Sequence, residues 1–158
     1  LQVPHHRHTE IGFSLNTQTI IGQYEKGTAS LEERIEAARK TSEAKYPLGF
    51  LIAPIITYDN WKEEYREVIQ ELASQVATGS NPSFELITHR FTKKAKSNIE
   101  QVFPNSTLPM DEEERQYKYG QFGYGKWVYP KETMAEIKVF FEEEIGKAFP
   151  RSEIKYIV

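Results

Sequence analysis

An α/β fold built on parallel strands is what this sequence predicts, on three observations. Residues 48–56, Leu-Gly-Phe-Leu-Ile-Ala-Pro-Ile-Ile, form a continuous apolar run without alternation, the pattern of a parallel strand buried on both faces. Strand-like and helix-like segments alternate three times with short connections, as strand–helix units around a parallel sheet do. Each helical segment opens on a residue able to cap it: Ser30, then Asp59 or Asn60, then Thr92. With 158 residues and no low-complexity linker, residues 1–158 form a single domain.

Taken in order, Thr9 to Asn16 carries apolar residues at 11, 13 and 15, which is strand periodicity. A polar stretch with Gly27 follows. Ser30 with Glu33 makes a capping box, and Leu31, Ile35, Ala38 and Ser42 define one helical face that Pro47 stops. In the apolar run, Pro54 is expected to mark the strand's end, because it cannot donate to a ladder. The next helix presents Trp61, Tyr65, Val68, Ile69, Leu72 and Val76 on one face, and residues 79–82 are a loop. Phe84 to Thr88 reads as a third strand. The helix capped by Thr92 carries Ala95, Ile99, Val102 and Phe103, and Pro104 closes it. The chain then changes character. Between 117 and 129 three glycines sit between aromatic arms, so a β-hairpin is predicted at about 116–130. A helix with Met134, Ile137, Phe141 and Ile145 and a short strand at 154–157 complete the chain.

Composition narrows the function. Hydrophobic residues at 39% and charged residues at 27% are an ordinary globular balance. No apolar run approaches the roughly 18–20 residues of a membrane span, and the first residues show no signal-peptide pattern. Without cysteine there is no disulfide, no thiol nucleophile and no thiolate-held iron–sulfur cluster within these residues. Net charge is -3, yet Arg90, Lys93, Lys94 and Lys96 cluster, and Arg115, Lys118, Lys126 and Lys131 bracket the hairpin. A local basic groove on an acidic protein suits DNA; a solvated face is the common alternative. His5, His6 and His8 lack the carboxylate or cysteine spacing that would complete a metal site, so no metal ligand is assigned.

Four blocks carry a resemblance: residues 13–17 followed by 32–38, residues 46–55, residues 84–93, and the hairpin with Tyr117-Lys118 at its start and Gly125-Lys126 after its tip. Together they resemble the spore photoproduct lyase family, over almost the whole chain and about half of a family member. The resemblance implies the carboxy-terminal half of a partial (β/α) radical-SAM barrel with parallel strands, plus a β-hairpin and a terminal helix and strand. It implies S-adenosyl-L-methionine and a [4Fe-4S] cluster as cofactors, at the carboxy ends of the strands. It implies reductive cleavage of S-adenosylmethionine to a 5′-deoxyadenosyl radical, which abstracts hydrogen from spore photoproduct, an ultraviolet-induced thymine dimer in DNA, and so returns two thymines. Damaged double-stranded DNA and the amino-terminal half of the same protein are the implied partners, no membrane is among them, and the implied location is cytoplasmic, in the spore core or germinating cell.

Residue by residue, Ser14 matches a serine that contacts S-adenosylmethionine, and Asn16 and Ala53 match positions beside the cofactor. Backbone capping by Ser14 or Asn16 and a plain core role for Ala53 are the alternatives. In the hairpin Lys126 matches a lysine near the lesion, while Gln121 and Phe122 stand where the family usually has arginine and tyrosine. Gln121 lacks the charge for a phosphate contact, and Phe122 can stack but not hydrogen-bond. Lys118 and Arg90 are the further expected substrate contacts; His89 ends a strand beside Arg90, as a structural histidine or a catalyst. The cluster cysteines of the family, in a C-x-x-x-C-x-x-C loop, and the cysteine that donates hydrogen to the product radical lie upstream of the matched region. No catalytic residue is therefore expected in this chain, which alone should be inert. A cysteine-free DNA-binding module and a degenerate radical-SAM paralogue are the competing readings.

Overall fold

The computed structural model describes every residue except Gln2, Ala77, Thr78, Gln121 and Phe122. The elements run β1 (Ile11–Leu15), α1 (Gln18–Tyr24), α2 (Leu31–Glu43), β2 (Leu48–Ile55), α3 (Trp61–Gln75), β3 (Ser83–Thr88), α4 (Lys93–Val102), β4 (Gln116–Tyr119), β5 (Gly125–Val128), α5 (Lys131–Ala148) and β6 (Glu153–Ile157). Strands β1, β2, β3 and β6 form one sheet in that order, each pair parallel, and β4 and β5 form a separate antiparallel hairpin.

Register decides which face does what. Ile11, Phe13 and Leu15 pair with Leu48, Phe50 and Ile52, and Phe50 and Ile52 pair in turn with Phe84 and Leu86. These side chains share one face, and all but the half-buried Ile11 join or pack on the core with Ile35 and Ala38 of α2, Tyr65 and Leu72 of α3 and Ile137 and Phe141 of α5. Alternation sends Gly12, Ser14, Leu51, Ala53 and Glu85 to the opposite face, where β1 shows Gly12 and Ser14 exposed. Helices α2, α3 and α5 pack on the first face only. A parallel sheet is ordinarily covered on both faces, so the second face and the outer edges of β1 and β6 are left open among the described residues.

Four local expectations are corrected. The polar stretch before Gly27 contains α1, capped by Thr17, whose side chain accepts from the Ile20 amide. Pro54 lies inside β2 rather than after it, where the β2–β3 register shifts between Ile52 and Ile55. Asn60 occupies the cap position of α3 in the left-handed region (φ 65°) and makes no side-chain cap bond. The apolar face of α4 is not packed: no residue of that helix is buried, and Val102 and Phe103 remain 65% and 64% exposed. The capping box of Ser30 and Glu33, the buried face of α3 and the Thr92 cap stand as expected.

Candidate functional site at the carboxy ends of the strands

The irregularity at Pro54 releases backbone groups that a regular ladder would have paired, and side chains from distant elements take them up. Asn16 donates to the Pro54 carbonyl at 3.0 Å, the Ile56 amide donates to the Tyr65 hydroxyl at 3.3 Å, and the Thr57 amide donates to the Tyr129 hydroxyl at 3.0 Å. Asn16 is fully buried. Its amide nitrogen also donates to Glu25, and its oxygen accepts from the Thr17 amide at 3.0 Å and the Tyr65 hydroxyl at 2.8 Å. Two donors and two lone pairs are all the side chain offers, and these four bonds engage them in holding the strand ends together. Glu25 is held in turn by Arg34 at 2.6 Å. Burial raises the hydroxyls of Tyr65 and Tyr58 above the ordinary tyrosine range, keeping both protonated donors.

Ser14 and Ala53 lie on the open face near the carboxy ends of β1 and β2. Ser14 is exposed, Ala53 is half-buried, and the Ser14 hydroxyl makes no hydrogen bond among the described residues. The backbone carbonyl of Ser14 accepts from Arg34 at 3.4 Å, which leaves its side chain free above the sheet. This is the end of a parallel sheet at which strand–helix folds carry their ligands.

Beside it, past the ends of β3 and β6, the hairpin closes over a cavity of about 410 Å³. Arg90, Lys118 and Lys126 all line it, with Tyr119 and Tyr124. Three of the five expected substrate contacts therefore converge; the other two, Gln121 and Phe122, lie outside the described residues. Lys118 and Lys126 stand directly opposite each other across β4 and β5, and like charges so placed repel. No carboxylate lies within ion-pair distance of Arg90, Lys118 or Lys126 among the described residues. The lysine Nζ of Lys126 is 5.9 Å from the Tyr124 ring. A Cβ at Gly125 would stand 2.1 Å from Cζ of Tyr117, so any larger residue there displaces the exposed Tyr117 ring from its edge-on contact with Trp127 at 5.1 Å. Lys93 and Lys94 are exposed at the start of α4, whereas Lys96 is paired with Glu112 at 3.6 Å.

Beneath the hairpin lies a buried centre that local sequence pattern does not announce. Arg115, one of the basic residues that bracket the hairpin in the sequence, is 9% exposed. It donates to the His89 carbonyl at 2.9 Å and the Pro109 carbonyl at 3.1 Å, and its guanidinium lies 3.7 Å from the Tyr129 ring. Arg115 Nη2 also stands 3.4 Å from His89 Nδ1, as donor to a neutral ring. Burial first, and the Arg115 charge second, push the His89 imidazole down to about 4. His89 is thus uncharged at neutral pH. Acidic residues 111–114 adjoin Arg115 in the chain and suggest an exposed ion pair; nothing local signals burial.

No described helix is long and apolar enough to cross a membrane. A family profile described as spore photoproduct lyase matches residues 1–158. The chain is 49% identical to a spore photoproduct lyase of Clostridium acetobutylicum over all of its own length and 47% of the relative's, and 40% identical to that of Bacillus subtilis over 99% and 46%. It thus spans about half the length of the curated relatives it matches. Among solved structures, it is similar to spore photoproduct lyase complexed with dinucleoside spore photoproduct (TM-score 0.91, 41% identity, 98% of this chain and 46% of that one). It is also similar to a mutant of the lyase with bound AdoMet and dinucleoside spore photoproduct (TM-score 0.90, 41% identity, 98% of this chain and 46% of that one). With the parallel sheet, the hairpin and the match over its full length in agreement, this chain belongs to the spore photoproduct lyase family.

Proposed function

We propose that this chain is the carboxy-terminal half of an enzyme that returns spore photoproduct in DNA to two thymines, and that its hairpin cavity meets the damaged duplex. The observation that carries the reading is the convergence of Arg90, Lys118 and Lys126, without carboxylate partners among the described residues, on one cavity under exposed tyrosines. Two lysines opposed across a hairpin cost stability unless an anion lies between them, and a phosphate backbone supplies that anion. Tyr119 and Tyr124 offer rings to bases taken out of the stack.

S-adenosylmethionine fits the open face: the Ser14 hydroxyl is unpartnered among the described residues, and Ala53 leaves room for a flat group near the backbone. When bound it would supply hydrogen-atom abstraction; this chain's residues hold and orient it. The iron–sulfur cluster does not fit these residues, because a thiolate site needs cysteine and the chain has none. The cluster, the covering of the open sheet face and the pairing of the β1 edge are assigned to the amino-terminal half of the same protein.

Two experiments on the intact enzyme test the reading. Lys118→Ala with Lys126→Ala should weaken binding to lesion-containing duplex at least tenfold at about 0.1 M salt. The same double substitution should flatten the salt dependence by about 0.9 for each phosphate no longer neutralised. Unchanged affinity and slope would remove the cavity from DNA recognition. Ser14→Ala should weaken S-adenosylmethionine binding by about 0.5–1.5 kcal/mol, the net worth of one hydrogen bond, with folding unaltered. A calorimetric titration showing no change would leave Ser14 an ordinary exposed strand residue.

A further inference from the structure

The cavity cations are carried by three separate segments, and something must hold those segments in one arrangement. Arg90 follows His89 at the end of β3, Lys118 lies three residues after Arg115, and Lys126 lies three residues before Tyr129. His89, Arg115 and Tyr129 are themselves in contact. From the geometry we infer that Arg115 is a positioning residue, a clamp that fixes the base of the β4–β5 hairpin against the end of β3 and so sets where Lys118 and Lys126 meet the substrate. The inference rests on the cavity's proposed role in binding the lesion.

The clamp is unusual in being a buried cation without a carboxylate among the described residues. Burying an unpaired charge is costly, so the site must return that cost through other contacts. It does so with the carbonyl oxygens of His89 and Pro109, the neutral His89 ring and the face of Tyr129 at 3.7 Å. A planar guanidinium can meet two carbonyls in its plane while stacking on an aromatic ring; an ammonium cannot. Each partner lies on a different segment. His89 is tied to β2 through its amide and the Ile55 carbonyl at 2.8 Å. Tyr129 is tied to the end of β2 through the Thr57 amide. Phe91 and Trp127 exchange two backbone hydrogen bonds, at 3.1 and 2.7 Å, joining β5 to the segment after β3. Arg115, just before β4, thus touches Tyr129 just after β5, His89 at the β3 end and the loop at Pro109.

The test uses the intact enzyme, with dinucleoside spore photoproduct and lesion-containing duplex as probes. Arg115→Lys keeps the charge and removes the planar fork. It should weaken binding of both probes tenfold or more and reduce the salt slope for the duplex toward that of the Lys118→Ala, Lys126→Ala protein. S-adenosylmethionine affinity should change less than twofold, a split that general destabilisation would not produce. If Arg115→Lys does not fold, Tyr129→Leu, which removes the stacking face, carries the same expectation. Weaker lesion binding in the double lysine variant, with unchanged lesion binding in Arg115→Lys, overturns the clamp alone. A parallel drop in S-adenosylmethionine binding also overturns it, because the effect is then global. Full lesion binding in the double lysine variant overturns the reading of the cavity, and the clamp's purpose with it.

Discussion

Asn16→Leu is expected to destabilise the protein by about 3 kcal/mol, although it exchanges side chains of nearly equal volume. The substitution takes the Asn16 partner from the Pro54 carbonyl, the Thr17 amide and the Tyr65 hydroxyl, and leaves the carbonyl and the hydroxyl proton only their long 3.5 Å contact with each other. Each polar group orphaned in the interior costs about 1–3 kcal/mol, and all three lie where β1, β2 and α3 meet. The denaturation midpoint of the intact protein reports the destabilisation. S-adenosylmethionine affinity of the remaining folded protein should fall less than in Ser14→Ala. The reverse pattern, an unchanged midpoint with weakened cofactor binding, would return Asn16 to the cofactor site.

Acid should loosen the same end of the molecule through His89. Its folded-state value of about 4 lies below the usual 6.5 of histidine, owing first to burial and second to the Arg115 charge. The unfolded chain takes up a proton near 6.5, whereas the folded protein resists it until about 4. Between those values the unfolded state binds more protons, so stability falls as pH falls. The contribution is intact above 6.5 and declines progressively down to about 4, on the order of 3 kcal/mol in all. A His89→Gln protein should show a flatter decline in melting temperature between about pH 6.5 and 5, a window in which ordinary carboxylates are still ionised. An identical decline in both proteins would mean that another group carries the acid sensitivity.

What could be read in advance was governed by short-range chemistry. The capping box of Ser30 and Glu33 joins residues three apart, the apolar face of α3 repeats at helical spacing, and the run at 48–56 announces a parallel strand, although this chain buries only one of its faces and leaves Leu51 and Ala53 half-buried on the other. The hairpin followed from glycines at 120, 123 and 125 between aromatic arms, and the resemblance gathered Arg90, Lys118 and Lys126 before their common cavity was visible. Helix α1 escaped because seven residues with two buried isoleucines carry too little periodicity to stand out from a polar loop. Helix α4 shows the opposite failure, since its apolar residues have the helical spacing of a core face yet none is buried among the described residues.

The roles of Asn16 and Arg115 depend on separations that local pattern does not encode. Asn16 meets Pro54 across 38 residues, and Arg115 meets His89 across 26. A break in the β2–β3 ladder creates the need for the first, and a hairpin folded back on a strand end creates the site for the second. Whether an asparagine caps its own backbone, binds a ligand or pairs a distant carbonyl is chosen by what the fold places beside it, because its four hydrogen-bonding valences are the same in each case. Secondary structure and family are properties of neighbours along the chain; the division between residues that hold this site together and residues that face its ligands is a property of neighbours in space.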